Sequence, residues 1–229
     1  MTTQWLLQDN HPNLSSIREI EAILRDQASD VSLVTLKGHS TDIPETEALD
    51  MSRPTVCYGP SFVPRALRYP ALSPGIFFDA ATFRWSAFQA GWGDLMASSD
   101  ALVVSLPEAM SRIADENMFV RPDEDSKAFD GGLYNQSSLA ATLGPAIKKG
   151  RVSDSTEIVI AKPITVDAEW RTFIVDGEVV AASSYRFNGL GNMDLHVPHR
   201  AIDLAFEAAE LWKPADVFCL DIALSEGLE

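Results

Sequence analysis

Cysteine is scarce in this sequence, and so is positive charge. Two cysteines, Cys57 and Cys219, stand far apart in 229 residues. That is too few for a disulfide scaffold, and neither belongs to a C-x-x-C pair of the kind zinc sites use. Both are expected to be buried free thiols in a reducing compartment. Lysine and arginine number 18 against 33 aspartates and glutamates, a formal net charge of −15. Nonspecific nucleic-acid binding needs a basic surface that displaces counterions from phosphates, so nucleic acid is not an expected partner. No apolar run approaches the roughly 20 residues of a membrane span. The N-terminus, MTTQWLLQDN, lacks the positive flank and long apolar stretch of a signal peptide. These absences point to a cytoplasmic protein without membrane contact. Histidine is also sparse. His196 and His199 flank Pro198, which disfavours a helical ligand pair, and no Ser-His-Asp arrangement is suggested.

What is present is ordinary for a globular chain: 46% hydrophobic and 22% charged residues, with enough length to bury a core. The first third reads as alternating strand and helix. Trp5-Leu6-Leu7 predicts a strand, and Leu14, Ile17, Ile20, Ile23 and Leu24 recur at helical spacing. Strands are predicted over Val31 to Leu36 and Thr55 to Tyr58, the latter followed by a helix capped by Ser61. The alternation implies a parallel sheet with helices on its faces. Residues 38–54 are polar and predict a loop. Residues 83–97 carry Phe83, Trp85, Phe88 and Trp92 with only Arg84 nearby. A base-stacking platform would interleave more cations, so core packing is the expected role.

The later part predicts strands over 101–106, 117–122 and 157–163, and helices from Pro107 and over 137–148. Asp176-Gly177 between two apolar runs, 169–175 and 178–185, is a strong hairpin signal. A helix at about 200–211 and a strand over 217–223 complete the reading.

Four features could carry chemistry. They are Arg121 at a strand end, the glycine-bearing loop Asp125 to Gly132 with Lys127, Lys162 on a later strand, and Glu169-Trp170-Arg171 on a hairpin arm. Together they supply cations and bare backbone on neighbouring strands, which a triphosphate requires. The net negative charge does not oppose this, because a few placed cations and a bound Mg²⁺ suffice. Neither the Walker pattern nor the Rossmann fingerprint occurs.

Three passages carry a family likeness: Phe119-Val120-Arg121-Pro122-Asp123 with Ser126 to Gly132; Ile160-Ala161-Lys162-Pro163-Ile164 with Glu169-Trp170-Arg171 and Phe173 to Ala181; and Cys219-Leu220-Asp221-Ile222-Ala223. From about residue 117 to 223 the chain resembles the ATP-grasp superfamily. It is most like the phage and bacterial clade in which an arginine replaces the first nucleotide-binding lysine. The second passage also resembles ribosomal-protein glutamate ligases and glutathione synthetases. The resemblance implies an α/β fold. A small pre-ATP-grasp α/β domain over residues 1–75 would precede an ATP-grasp domain over 76–229, built on antiparallel sheets with helices.

The implied activity is ADP-forming carboxylate–amine ligation, with ATP and Mg²⁺ as cofactors and small-molecule or peptide carboxylates and amines as substrates. A homodimer is a common outcome for such folds. By resemblance, Arg121 would meet the α- or β-phosphate and Lys127 the β- or γ-phosphate, while Gly131 and Gly132 let the loop hinge. Lys162 would contact the adenine edge or the α-phosphate, with the Ile160 and Ala161 backbone bonding the adenine ring. Glu169 would bind the ribose or orient a cation. Arg171, assisted by Arg186, would stabilise charge on the transferring phosphoryl group. Asp221, a carboxylate in an otherwise apolar strand, is the expected Mg²⁺ ligand. The family pattern continues with a strand bearing Glu-x-Asn, which completes the metal site, whereas this sequence ends at Glu229. The alternative is therefore a nucleotide-binding or interaction module without turnover.

Overall fold

A computed structural model describes residues 3–11, 13–37, 42–43, 50, 52–66, 69, 72, 75–125 and 128–225. Two compact units emerge, Met1–Phe78 and Asp79–Glu229. In the first, strand β1 (Gln4–Gln8) lies between β2 (Asp30–Val34) and β3 (Thr55–Tyr58), parallel to both. Helix α1 (Leu14–Asp26) makes the crossover from β1 to β2 and buries Ile17 and Leu24 against Leu7 and Val31. The opposite face of the sheet packs Leu6 and Val34 with Phe62 and Leu72. The expected parallel sheet is present, but the helix after β3 starts differently. Gly59, not Ser61, occupies the cap position of a 3₁₀ turn over Pro60–Phe62 that leads into α2 (Val63–Ala66). Arg65 is almost wholly buried, and its guanidinium donates to the carbonyls of Asp42, Lys37 and Ser61. Most of the loop predicted over 38–54 lies outside the described residues.

The second unit contains two antiparallel sheets. One has the order β4-β7-β5-β6, with β4 at Leu102–Ser105, β5 at Met118–Pro122, β6 at Gly132–Tyr134 and β7 at Glu157–Ala161. The same unit carries helices α3 (Trp85–Trp92), α4 (Leu106–Arg112) and α5 (Gln136–Lys148). One face of this sheet presents Val120, Ile158 and Ile160 to Ala109 of α4 and to Leu139, Leu143 and Ala146 of α5. Alternation sends Val159, Ala161, Phe119 and Arg121 to the other face. The second sheet has the order β10-β9-β8-β11, with β8 at Ala168–Val175, β9 at Glu178–Phe187, β10 at Leu190–Asp194 and β11 at Val217–Leu224. Helix α6 (His199–Leu211) covers one of its faces, burying Ala201, Ala205, Ala208 and Ala209 near Ile174, Phe218 and Ile222.

The β8–β9 hairpin turns where the sequence predicts. Asp176 and Gly177 both take positive φ, 52° and 95°, the twist that matches a two-residue turn to its strands. Strand β10 is an addition to the expected elements. Its five residues are all exposed, and it is held by pairing with β9.

The aromatic segment is the joint between the two sheets. Trp85 packs beside Phe119 of the first sheet, with ring centroids 6.4 Å apart. Two turns later, Trp92 meets Trp212 at the end of α6 at 5.2 Å and Phe218 of the second sheet at 6.3 Å. The Trp92 indole donates to the carbonyls of Ala208 and Trp212, both at 3.0 Å, at the C-terminal end of α6, where the Ala208 carbonyl also accepts the Trp212 backbone N–H. No helix among the described residues is long and apolar enough to cross a membrane.

Gly91 faces this joint, and a methyl group there would fall onto the Trp212 ring. Gly91→Ala is expected to destabilise the protein by about 1–3 kcal/mol through overpacking, measured by urea unfolding. An unchanged midpoint would mean that the joint is looser than its ring contacts imply.

Candidate active site

Arg121 is the next-to-last residue of β5 and shares a face with Phe119. Its Nε donates to the Pro122 carbonyl at 3.1 Å, and its Nη2 lies 3.5 Å from Asp125 Oδ1. The guanidinium carbon stands 5.5 Å from the centre of the Trp85 ring. Beside it is a cavity of about 310 Å³ lined by Phe119, Arg121, Glu124, Asp125, Phe129 and Gly131, among others. Gly131 borders this cavity and lies close against Arg121, since a Cβ there would come within 3.1 Å of the Arg121 Cβ. Gly131 has no positive φ, so its role is space and not backbone freedom. Gly132 lies in β6, paired with Val120, and is therefore a strand residue and not part of a free hinge. Lys127 lies outside the described residues.

Lys162 follows directly on β7 and is exposed. Ile160 is paired with Leu102 on one side and Val120 on the other, so strands flank its backbone on both sides. That corrects the expectation that it offers backbone to a ring. Ala161 pairs with Phe119 where the β4 ladder has already ended, and the chain is open to a ligand only from there on.

The remaining expected residues meet on the uncovered face of the second sheet. Arg171 on β8 is the register partner of Asp221 on β11. Two parallel hydrogen bonds join them, Nε to Oδ1 at 2.8 Å and Nη2 to Oδ2 at 2.7 Å. This contact pushes the Arg171 pKa up from its already high value, with burial opposing. The Tyr185 ring lies under the same guanidinium at 4.1 Å. Glu169 and Arg186 are also register partners, with Arg186 Nη1 3.1 Å from Glu169 Oε2.

Two expectations change here. Asp221 does not sit in an apolar setting; strand alternation places it on the open face, and both of its oxygens are bound by Arg171. Cys219, two residues earlier on that face, is exposed and not buried. No group of three metal-ligating side chains occurs among the described residues.

One buried residue is given no role by the sequence. Asp123, one residue past β5, is fully buried. It accepts from the Ser86 backbone N–H at 2.7 Å and from the Ser86 hydroxyl at 3.0 Å, and it contacts Arg84 at 2.9 Å. These partners belong to the segment that opens α3, far from Asp123 in sequence, so no local pattern announces them.

A sequence profile of the ATP-grasp domain, family 2 of the arginine-for-lysine clade, matches residues 102–227, more than half of the chain. The chain belongs to this family. Solved ATP-grasp structures share the fold at low identity. A RimK-domain ATP-grasp protein from Sphaerobacter thermophilus superposes with a TM-score of 0.60 at 12% identity, covering 97% of this chain and 86% of that one. The D-alanine–D-alanine ligase of Bacillus anthracis gives 0.58 at 14%, covering 99% and 84%. The ATP-grasp ligase PsnB, complexed with a minimal precursor, gives 0.56 at 12%, covering 98% and 86%. No curated protein matches the sequence at a significant level.

The Arg171–Asp221 pair is about a third exposed on each side. Solvent-screened pairs of this kind contribute little to stability. Asp221→Ala is therefore expected to change the unfolding free energy by no more than about 1 kcal/mol in urea titration. A loss of several kcal/mol would mean that the pair is a structural tie and not part of a surface prepared for a ligand.

Proposed function

We propose that this ATP-grasp chain is an ATP-dependent carboxylate–amine ligase. The observation that carries the reading is the placement of Arg121 beside a cavity bounded by Gly131, in a member of a nucleotide-binding family. In the proposed reaction a carboxylate oxygen attacks the γ-phosphorus of ATP and ADP leaves, giving an acylphosphate. An amine then attacks the acyl carbon and displaces phosphate.

Phosphoryl transfer asks the protein mainly for positioning and charge neutralisation. Arg121 would hold an inner phosphate. Lys162 and the backbone from Ala161 onward would meet the adenine side. Glu169 would bind ribose hydroxyls. Arg171 and Arg186 would stabilise charge on the transferring phosphoryl group and on the tetrahedral intermediate. Lys127 and the loop around it are assigned to the terminal phosphates from the family resemblance alone. Mg²⁺ would arrive with the nucleotide, because it keeps phosphate and water ligands and needs few from protein. Closure over the site would keep water from the acylphosphate. The structural neighbour PsnB was solved with a precursor peptide and AMPPNP, which supports including peptides among the trial substrates.

A second reading has one observation in its favour. Asp221, the expected metal ligand, is fully engaged by Arg171. A chain that binds nucleotide without turning it over would look the same. The two readings part at ADP release, which only the ligase shows, with amino acids or peptides as trial substrates.

Nucleotide binding itself is tested by thermal unfolding. Mg-ATP at 100 times its Kd is expected to add about 2.7 kcal/mol, and the melting temperature should rise by several degrees. Arg121→Ala should remove most of that rise while lowering the melting temperature of the unliganded protein by no more than about 5 °C, since Arg121 makes only weak ion contacts and one ring contact. No rise in the wild type would overturn the nucleotide site.

A further inference from the structure

We infer that Trp85 is a positioning residue for Arg121, and that the buried carboxylate of Asp123 sets Trp85 in place. The inference rests on the nucleotide-binding role proposed for Arg121 and deepens it.

The chain of contacts starts at Asp123. Helix α3 opens at Trp85 with Arg84 in the cap position, and the Arg84 side chain provides no cap. The first backbone N–H groups of a helix need an acceptor. Asp123 supplies it from a different element, accepting from Ser86 N at 2.7 Å and from the Ser86 hydroxyl at 3.0 Å. A carboxylate at a helix N-terminus also faces the positive end of the dipole. Its remaining charge is met by Arg84, 2.9 Å away, which also reaches Glu157 at 3.2 Å and Glu124 at 3.5 Å.

The backbones are tied as well. Trp85 N donates to Asp123 O at 2.9 Å, and Asp125 N donates to Phe83 O at 3.2 Å. Arg84 and Glu124 face each other across this short antiparallel bridge. The start of α3 is thus fixed to the exit of β5, two residues past Arg121.

The consequence falls on Arg121. The Trp85 ring stands 5.5 Å from its guanidinium carbon and beside Phe119. The Trp85 Nε1 is buried and finds no acceptor among the described residues, so the ring is held by packing against Val159, Ala161 and Phe119 and not by its donor. An arginine side chain is flexible, and holding it before a ligand arrives removes part of the ordering cost of binding. A ring face attracts a cation and leaves the guanidinium N–H groups free, unlike a carboxylate partner. Trp85 therefore steadies Arg121 without competing with an anion for its donors.

The test is a double-mutant cycle on Mg-ATP binding by calorimetry, with wild type, Trp85→Leu, Trp85→Phe, Arg121→Ala and the Trp85→Leu/Arg121→Ala double variant. Trp85→Leu is expected to weaken binding by about five- to tenfold, the size of a partly exposed cation–ring contact, and Trp85→Phe to restore most of it. In the Arg121→Ala background, Trp85→Leu should weaken binding no further, because the residue it serves is gone. Ser86→Ala, which removes one hydrogen bond to Asp123, should weaken binding slightly in the wild-type background and not at all without Arg121. Melting temperatures without nucleotide separate these effects from loss of fold. Equal effects of Trp85→Leu in both backgrounds, or none in either while Arg121→Ala still weakens binding, would overturn the inference and leave the nucleotide site standing. Absence of Mg-ATP binding in the wild type would overturn the nucleotide reading itself, and this inference with it.

Discussion

One eight-residue helix carries aromatic rings to both sheets of the second unit, and the arrangement of that unit depends on it. A helix of this length has no stability of its own in water; nucleation is costly, and too few bonds follow. Burial makes it persist. Trp92 and Phe88 stack at 5.3 Å and share a cluster with Ile174 and Phe218, while Trp85 packs beside Phe119. Its N-terminus is capped by Asp123 from the exit of β5. Hydrophobic burial thus supplies the strength of the joint, and one buried carboxylate fixes its orientation.

The same joint decides where charge can stand. Helices cover one face of each antiparallel sheet; the other face of the first sheet is apolar around Arg121, and on the second sheet polar residues take the alternate positions. On the second sheet those positions bring Glu169, Arg171 and Asp221 to one side, with Tyr185 under a guanidinium. On the first sheet they bring Arg121 beside a cavity. The arginines are held by neutral rings and by carboxylates at the surface, where such contacts are weak enough to exchange. A phosphate-bearing ligand could replace the carboxylates without disturbing either core.

Much of the fold is legible from local pattern. The hairpin at Asp176-Gly177 announces itself because positive φ at two successive residues demands such a pair. The parallel sheet of the first unit and the helix over 199–211 follow from apolar periodicity. What stays hidden depends on distant partners. Asp123 enters the sequence reading only at the end of a family-like passage and with no role of its own, and only the fold brings Ser86 and Arg84 to it. Asp221 reads as a costly carboxylate in an apolar strand, until alternation is combined with an uncovered sheet face. Cys219 follows the same rule, on the same face. Strand β10 escapes a reading by periodicity because its exposed positions leave no buried stripe to detect. Among the candidate site residues, the motifs name Arg121, Arg171 and Asp221, but the pairing of the last two is a matter of strand register.

The central claim is that the Arg121 cavity and the charged face of the second sheet together hold one nucleotide. Hydrogen exchange measured with and without Mg-ATP tests it most directly. Slowed exchange in both regions, residues 119–134 on one side and 169–173 with 219–223 on the other, is the predicted result. Protection confined to residues 3–78, or no protection at saturating Mg-ATP, would contradict the account.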